Sequence, residues 1–319
     1  MSSGIRGRRI DPAPVRGWMD PMLATLVEAM PPDGSWIFER KLDGIRTLAF
    51  RDAGSVRLYS RNKLTLHETF PSVVTAIERL PERSFVLDGE VVAIAGRQPA
   101  GFGELQRRTA RTTLRYYVFD VLKIDGADVR DRPLTERKRL LKSVPLAGTL
   151  RRTETLRGDA AALLDSACAE RWEGLIAKRE DAPYRAGRSK DWLKLKCVLE
   201  QELVVAGFTD PKGSRTGFGA LLLGYYDDDG LRFAGEVGTG FDRGTLEEIA
   251  KKLAPLETAE SPFADLPRAG KGRHFARPKL VAQIRFSEWT HDGKLRHPVF
   301  LGLRTDKRPR DVVRERPAR

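Results

Sequence analysis

The chain has 319 residues, 40% of them hydrophobic and 32% charged, enough for about two domains of roughly 150 residues with cores of their own. No apolar run approaches the ~18 residues of a membrane span, and the basic residues 1–9 have no apolar stretch behind them, so neither a spanning segment nor a secretory signal is expected. A formal net charge of +13 favours a polyanionic partner, nucleic acid before membrane, because no long basic amphipathic helix is present to lie on lipid.

Residues 1–20 are rich in Arg, Gly and Pro and read as a basic extension, whose Pro12 and Pro14 would interrupt the helix of a mitochondrial presequence. Residues 21–30 predict a short helix ended by Pro31-Pro32-Asp33-Gly34. Strands are expected at 35–41, 45–51 and 55–60, the last two joined by a turn at Asp52-Ala53-Gly54-Ser55. Residues 70–80 carry Val73, Val74, Ile77 and Leu80 at helical spacing, with Pro71 near the start. Strands follow at 85–94 and 114–122, with a basic helix at 103–111 between them. Helices are expected at 135–141 and 159–172, the second capped by Asp159, and short strands at 175–178 and 191–198.

Antiparallel hairpins with intervening helices argue for an α+β fold, not a doubly wound one. Near residue 199 the texture changes: strands at 202–208, 220–226 and 231–237 are joined by turns such as Asp227-Asp228-Asp229-Gly230, followed by a helix at 244–256 and a strand at 280–289. That order fits a small OB-like β-barrel. The expected organisation is an extension at 1–20, a first domain at 21–198, and a barrel at 199–319 that includes a loop at 258–274 and a basic tail after Arg304. The two cysteines, Cys168 and Cys197, form no Cys-x-x-Cys pair and suggest a reducing compartment without a structural zinc site.

Five stretches carry candidate chemistry. In Glu39-Arg40-Lys41-Leu42-Asp43-Gly44-Ile45-Arg46, Lys41 ends a strand against a turn pair, because Gly tolerates φ > 0 and Asp can bond its own backbone. A solvated surface hairpin is the plain alternative. In Asp191-Trp192-Leu193-Lys194-Leu195-Lys196-Cys197-Val198, strict alternation puts Trp192, Lys194 and Lys196 on one strand face and Leu193, Leu195 and Cys197 on the other. Two neighbouring ammonium groups suit a phosphate, or else mark a solvated edge strand. Leu87-Asp88-Gly89-Glu90 offers paired carboxylates, with a glycine that admits close approach of backbone or ligand. Tyr116-Tyr117-Val118-Phe119-Asp120 is either core or a base-stacking platform, and Glu173 opens an apolar strand that ends at Lys178. Carboxylates placed this way can ligate Mg²⁺. No P-loop, kinase-type glycine loop or dinucleotide fingerprint occurs.

In this order the set resembles the covalent nucleotidyltransferase superfamily of DNA ligases, RNA ligases and capping enzymes. Lys41-Leu42-Asp43-Gly44-Ile45-Arg46 matches its Lys-x-Asp-Gly-x-Arg nucleophile motif, and Ser60-Arg61-Asn62, Leu87-Asp88-Gly89-Glu90, Tyr117-Val118-Phe119-Asp120, Glu173-Gly174-Leu175-Ile176-Ala177-Lys178 and Trp192-Leu193-Lys194-Leu195-Lys196 follow. Arg304-Thr305-Asp306-Lys307 is similar to the Arg-x-Asp-Lys motif of the ligase OB domain. Together with residues 285–290 and 295–300 it looks like the ligase part of bacterial end-joining ligases of the ligase D type. One departure is Lys63, where the family often has glycine after Ser-Arg-Asn.

The resemblance implies a nucleotidyltransferase (ATP-grasp-like adenylation) domain followed by an OB-fold barrel, acting as a stand-alone, monomeric ATP-dependent DNA ligase. It implies ATP as AMP donor and Mg²⁺ or Mn²⁺, with Lys41 as the nucleophile. Glu39 would read the adenine amino group and Phe119 would stack on the ring. Arg46 and Arg61 would bind ribose and phosphate, and Lys178, Lys194 and Lys196 would surround the α-phosphate. Glu90 would contact ribose or metal, Glu173 would hold the metal, and Arg304 with Lys307 would orient the pyrophosphate. Nicked or broken duplex DNA is the implied substrate, a Ku-like end-binding protein the candidate partner, and a bacterial cytoplasm, at the nucleoid, the implied location. An RNA ligase, a capping-type guanylyltransferase and an inactive DNA-binding scaffold are the rival readings. End joining, nick repair and a backup role stay open.

Overall fold

The structure is a computed structural model that describes residues 17–315 except 31–33, 53, 82, 97, 110–111, 198, 212, 214, 267–269 and 271. The expected basic extension therefore lies, up to residue 16, outside the described residues. The chain divides into two compact units, the first ending at Cys197 and the second running Val198–Glu315.

The first unit runs β1 (Met22–Leu26), β2 (Trp36–Arg40), β3 (Ile45–Asp52), β4 (Ser55–Ser60), α1 (Pro71–Glu78), β5 (Phe85–Ala95), β6 (Gln98–Pro99), α2 (Phe102–Gln106), β7 (Leu114–Ile124), β8 (Ala127–Asp128), α3 (Leu134–Lys142), β9 (Leu150–Arg152), α4 (Ala160–Ala169), β10 (Gly174–Arg179) and β11 (Gly187–Lys196). These strands build two sheets. The larger has the order β4-β3-β5-β7-β8, with β6 beside β5 and β9 beside β7, and the smaller has the order β1-β11-β10-β2. Alternation along each strand sends one set of side chains to each face. Met22 and Trp192 of the small sheet thus meet Leu48, Phe50, Val86, Phe119 and Leu122 of the large one in a shared apolar layer. The outer face of the large sheet is covered by α1, through Val73, Val74 and Ile77, and by α2, through Phe102 and Leu105. Phe38, Leu193 and Leu195 pack the opposite face of the small sheet against Ala167 of α4.

The second unit contains β12 (Leu199–Thr209), β13 (Leu221–Asp227), β14 (Gly230–Val237), α5 (Arg243–Leu253), β15 (Glu257–Thr258), β16 (Arg273–Phe286), β17 (Glu288–Trp289), β18 (Leu295–Arg296) and β19 (Val299–Leu303). Its main sheet, β14-β13-β12-β16-β15 with β19 beside β16, closes on one apolar core that includes Leu203, Val205, Phe218, Leu222, Ile249 and Ile284. Asp159 and Asp242 cap α4 and α5 by accepting from the backbone N–H three residues on, at 2.9 and 2.7 Å.

The structure corrects several sequence expectations. Residues 21–30 hold a strand, not a helix, because β1 pairs in parallel with β11 from Met22↔Gly187 to Leu26↔Lys194, and sheet pairing outweighs the local helical preference of Met, Leu and Ala. The helix expected at 103–111 shrinks to Phe102–Gln106, its first N–H bound by Asp43 at 2.7 Å. The late strand begins at Arg273, inside the expected loop, because β16 stays paired with β12 as far as Thr209↔Arg273. Cys168 and Cys197, read as reduced, form a disulfide that ties the last turn of α4 to the end of β11. Their sequence separation of 29 residues hid the pairing.

Candidate active site

Lys41 follows the last residue of β2, where its N–H donates to the Gly174 carbonyl at 2.9 Å. Its Nζ is ion-paired with Glu173, which immediately precedes β10. Burial pulls the Lys41 ammonium down, but the charges of Glu173, Asp43 and Glu90 prevail and hold it above the ordinary lysine range. In the chain by itself, then, carboxylates control the lysine, not the neighbouring cations that would activate it. Glu173 is pushed up chiefly by burial, against the opposing charges of Lys41 and Lys196. Its Oε2 is buried and accepts no hydrogen bond from any described residue.

The turn after Lys41 works differently from its sequence reading. Gly44 is not among the glycines at positive φ. It is required because a Cβ there would run into the Val91 carbonyl oxygen. The Asp43 carboxylate accepts from Phe102 N–H at 2.7 Å, fixing α2 beside Lys41. Gly89 likewise admits protein, not ligand: a Cβ would meet the Tyr117 carbonyl and the Tyr116 ring. The departure at Lys63 has a backbone meaning, since this residue sits at φ 63°, a left-handed conformation that glycine adopts without strain.

Register places the remaining residues. Lys178 pairs with Trp192, Ile176 with both Lys194 and Glu39, and Gly174 with Lys196, so Glu39, Lys178, Trp192, Lys194 and Lys196 share one face of the small sheet. Glu39 is buried. It is ion-paired with Lys138 of α3, bonded by Lys178 Nζ at 2.9 Å, and it accepts from Thr153 Oγ1 at 3.0 Å. Burial pushes Glu39 up, but the two lysines prevail and hold its carboxyl below the usual range. Lys178 lies 4.3 Å from the Phe119 ring centre and 4.2 Å from that of Trp192, and burial lowers it to about 8.

Across the shared layer, the large sheet contributes Arg46, Asp88, Glu90 and Phe119. Arg46 binds Asp88 through two parallel bonds of 2.5 and 2.6 Å and lies 4.6 Å over the Phe119 ring. Glu90 accepts from Gly44 N–H at 3.2 Å. The aromatic strand thereby divides by face: Tyr116 packs in the outer core, its hydroxyl donating to the Thr47 carbonyl at 2.8 Å, while Phe119 faces the site. Arg61 stands half-buried just after β4. Arg304 and Lys307 belong to the second unit. There Arg304 is clasped by Asp306 at 2.8 Å and Lys307 by Glu202 at 2.7 Å.

Sequence reasoning passed over Lys138, Thr153 and Tyr184. Lys138 is one basic residue among several on α3, and its partner Glu39 is 99 residues away, so no local signal marks it. Tyr184 binds Asp88 from an irregular segment before β11.

A lysine held by carboxylates, with lysines lining one face of its sheet and a second sheet carrying a clamped arginine and an aromatic ring, makes a candidate site for a phosphate-bearing ligand. The chain belongs to the ATP-dependent DNA ligases: the family described as "ATP dependent DNA ligase domain" matches residues 21–196, and the one described as "ATP dependent DNA ligase C terminal region" matches residues 214–307.

Its relatives include the multifunctional non-homologous end joining protein LigD of Pseudomonas aeruginosa, 40% identical over 98% of this chain and 38% of the relative. DNA ligase C of Mycobacterium tuberculosis is 33% identical over 92% of this chain and 84% of the relative. The chain thus spans well under half the length of the LigD relatives it matches. Among solved structures, mycobacterial DNA ligase D complexed with ATP and MES is 38% identical with a TM-score of 0.67, over 92% of this chain and 98% of that one. This likeness carries the fold class expected from sequence, a nucleotidyltransferase domain followed by an OB-fold domain. Among the described residues no helix is long and apolar enough to cross a membrane.

Proposed function

We propose that this protein seals breaks bearing a 3′-OH and a 5′-phosphate in duplex DNA, with Lys41 carrying AMP between ATP and the DNA. The observation that carries the reading is the ion pair of Lys41 with Glu173 beside a sheet face lined with lysines. Lys41 Nζ attacks the α-phosphorus of ATP. The N–P bond forms, the bond to the β-phosphate oxygen breaks, pyrophosphate leaves, and Glu173, its pKa raised by burial, is the adjacent acceptor for the lysine proton. The 5′-phosphate of the break then displaces Lys41 from AMP, and the 3′-OH displaces AMP from the 5′-phosphorus. Lys194 and Lys196 steady the α-phosphate, Glu39 and Phe119 receive the base, Arg46 and Arg61 hold ribose and phosphate, and Arg304 and Lys307 orient the pyrophosphate.

The unsatisfied, buried Oε2 of Glu173 suits a hard cation that takes oxygen ligands, so Glu173 with Glu90 would hold Mg²⁺ or Mn²⁺. Such an ion supplies charge neutralisation for the polyphosphate. The chain acts as a monomer, and the net charge of +13 engages DNA mainly through its phosphates, giving affinity that falls steeply with salt and little sequence preference. The 40% identity to a LigD relative supports a role in end joining, in which a Ku-like protein would deliver the ends in a bacterial cytoplasm. The test is incubation with α-labelled ATP and Mg²⁺. Wild type should acquire acid-labile AMP, and Lys41→Ala should acquire none yet still seal a nick already carrying 5′-AMP. Labelling that survives Lys41→Ala sinks the assignment.

A further inference from the structure

Arg46 has five N–H groups to place. Its Nε and Nη2 bind the two oxygens of Asp88, and Nη2 also reaches the Met22 carbonyl at 3.2 Å. Nη1 donates to none of the described residues, so one edge of the guanidinium remains for a ligand while its plane lies over Phe119. What fixes that edge is the Asp88 carboxylate, and what fixes the carboxylate is Tyr184. The Tyr184 hydroxyl accepts from Met22 N–H at 2.9 Å, which leaves its own hydrogen to donate to Asp88 Oδ2 at 2.6 Å. The phenol ring stands edge-on to Trp192, 5.6 Å between centres, and Arg137 lies 5.8 Å from it, so the ring itself is held. Burial and the charge of Asp88 push the Tyr184 hydroxyl well above the ordinary tyrosine range, keeping it a donor.

We propose that Tyr184 is a positioning residue for nucleotide binding, acting through Asp88 to aim the open edge of Arg46 at the ribose and phosphate of ATP. The proposal deepens the nucleotide-transfer reading above and rests on it. Tyr184 touches no nucleotide. Removing its hydroxyl leaves Met22 N–H and one Asp88 lone pair buried without a partner, and the carboxylate can then turn, carrying the guanidinium with it.

The experiment is calorimetric titration of ATP into the full chain carrying Lys41→Ala, which blocks transfer and reads affinity alone. Adding Tyr184→Phe should weaken ATP binding ~5- to 30-fold, the loss of one charge-assisted hydrogen bond. In an Asp88→Asn background the same change should add less than about two-fold, because the relay is already cut. If Asp88→Asn does not fold, Arg46→Ala provides the equivalent background. Unchanged affinity with a lower melting temperature would show a merely structural tyrosine and overturn the proposal, as would a full Tyr184→Phe effect persisting without Asp88 or Arg46. Failure of wild type to label with AMP, by contrast, would strike the ligase reading and not this measurement.

Discussion

The two units differ in how deeply they bury paired charges. The first faces two sheets across an apolar layer and places ionised side chains within it, each satisfied by a residue far away in sequence: Glu39 by Lys138 and Lys178, Arg46 by Asp88, and Asp120 by Arg137. The second gathers its sheet and α5 around a single apolar core. Arg243 and Lys252 there meet glutamates one helical turn away, and at its motif Arg304 finds Asp306 two residues on, while Lys307 reaches back to Glu202. A site that must hold an ammonium, carboxylates and a nucleotide together needs desolvated charges with partners from several elements. A unit that presents a short basic motif from a loop can satisfy part of it locally, as Arg304 does with Asp306.

If that contrast is right, cutting a buried pair in the first unit costs most. Arg137 and Asp120 are both fully buried and joined by two 2.9 Å bonds. Arg137→Ala should destabilise the first unit by about 3–5 kcal/mol, because it strands the Asp120 charge. Denaturant unfolding followed by tryptophan fluorescence reads this, since Trp289 is the only one of the five tryptophans in the second unit. A loss below about 1 kcal/mol, the range of an exposed pair, would break the contrast.

Relief of purely local strain should matter less. Lys63→Gly frees a left-handed backbone at the cost of added chain entropy and a cation–π contact with Trp18, for a net gain of about 0.5–1 kcal/mol in the same assay. A net loss would mean that the Lys63–Trp18 contact outweighs the backbone term.

The smallest effect belongs to the surface of the second unit, where His274 bridges Asp210 and Glu257, both at 2.8 Å. The hydrogen bond to Asp210 outweighs desolvation, and with Glu257 it raises the His274 pKa. Its stabilisation is therefore full below the unfolded value of about 6.5 and is lost as pH rises through the folded value. The melting temperature of wild type should fall slightly more than that of His274→Gln between about pH 6 and pH 9. Identical slopes would remove the cluster from the account.

The motifs around Lys41, Glu90, Phe119, Glu173, Lys194 and Lys196 were legible because each sits on a strand or at its end, and a two-residue period assigns faces along a strand without any tertiary information. The α+β class and the helix capped by Asp159 were equally local matters of periodicity and end chemistry. What sequence could not decide were pairings. Whether residues 22–26 joined β11 or coiled as a helix depended on a strand more than 160 residues away. The need for Gly44 and Gly89 came from carbonyls across a sheet, and the bonding of Cys168 to Cys197 from the packing of α4. Glu39 meets Lys138 from α3 and Thr153 from the segment after β9, and Arg46 meets Asp88 across neighbouring strands of the large sheet, with Tyr184 holding that carboxylate from before β11. The sequence alone determined which side chains are available for the chemistry. Only the tertiary structure decided which charges they meet, because burial and Coulomb interaction depend on distance in space and not along the chain.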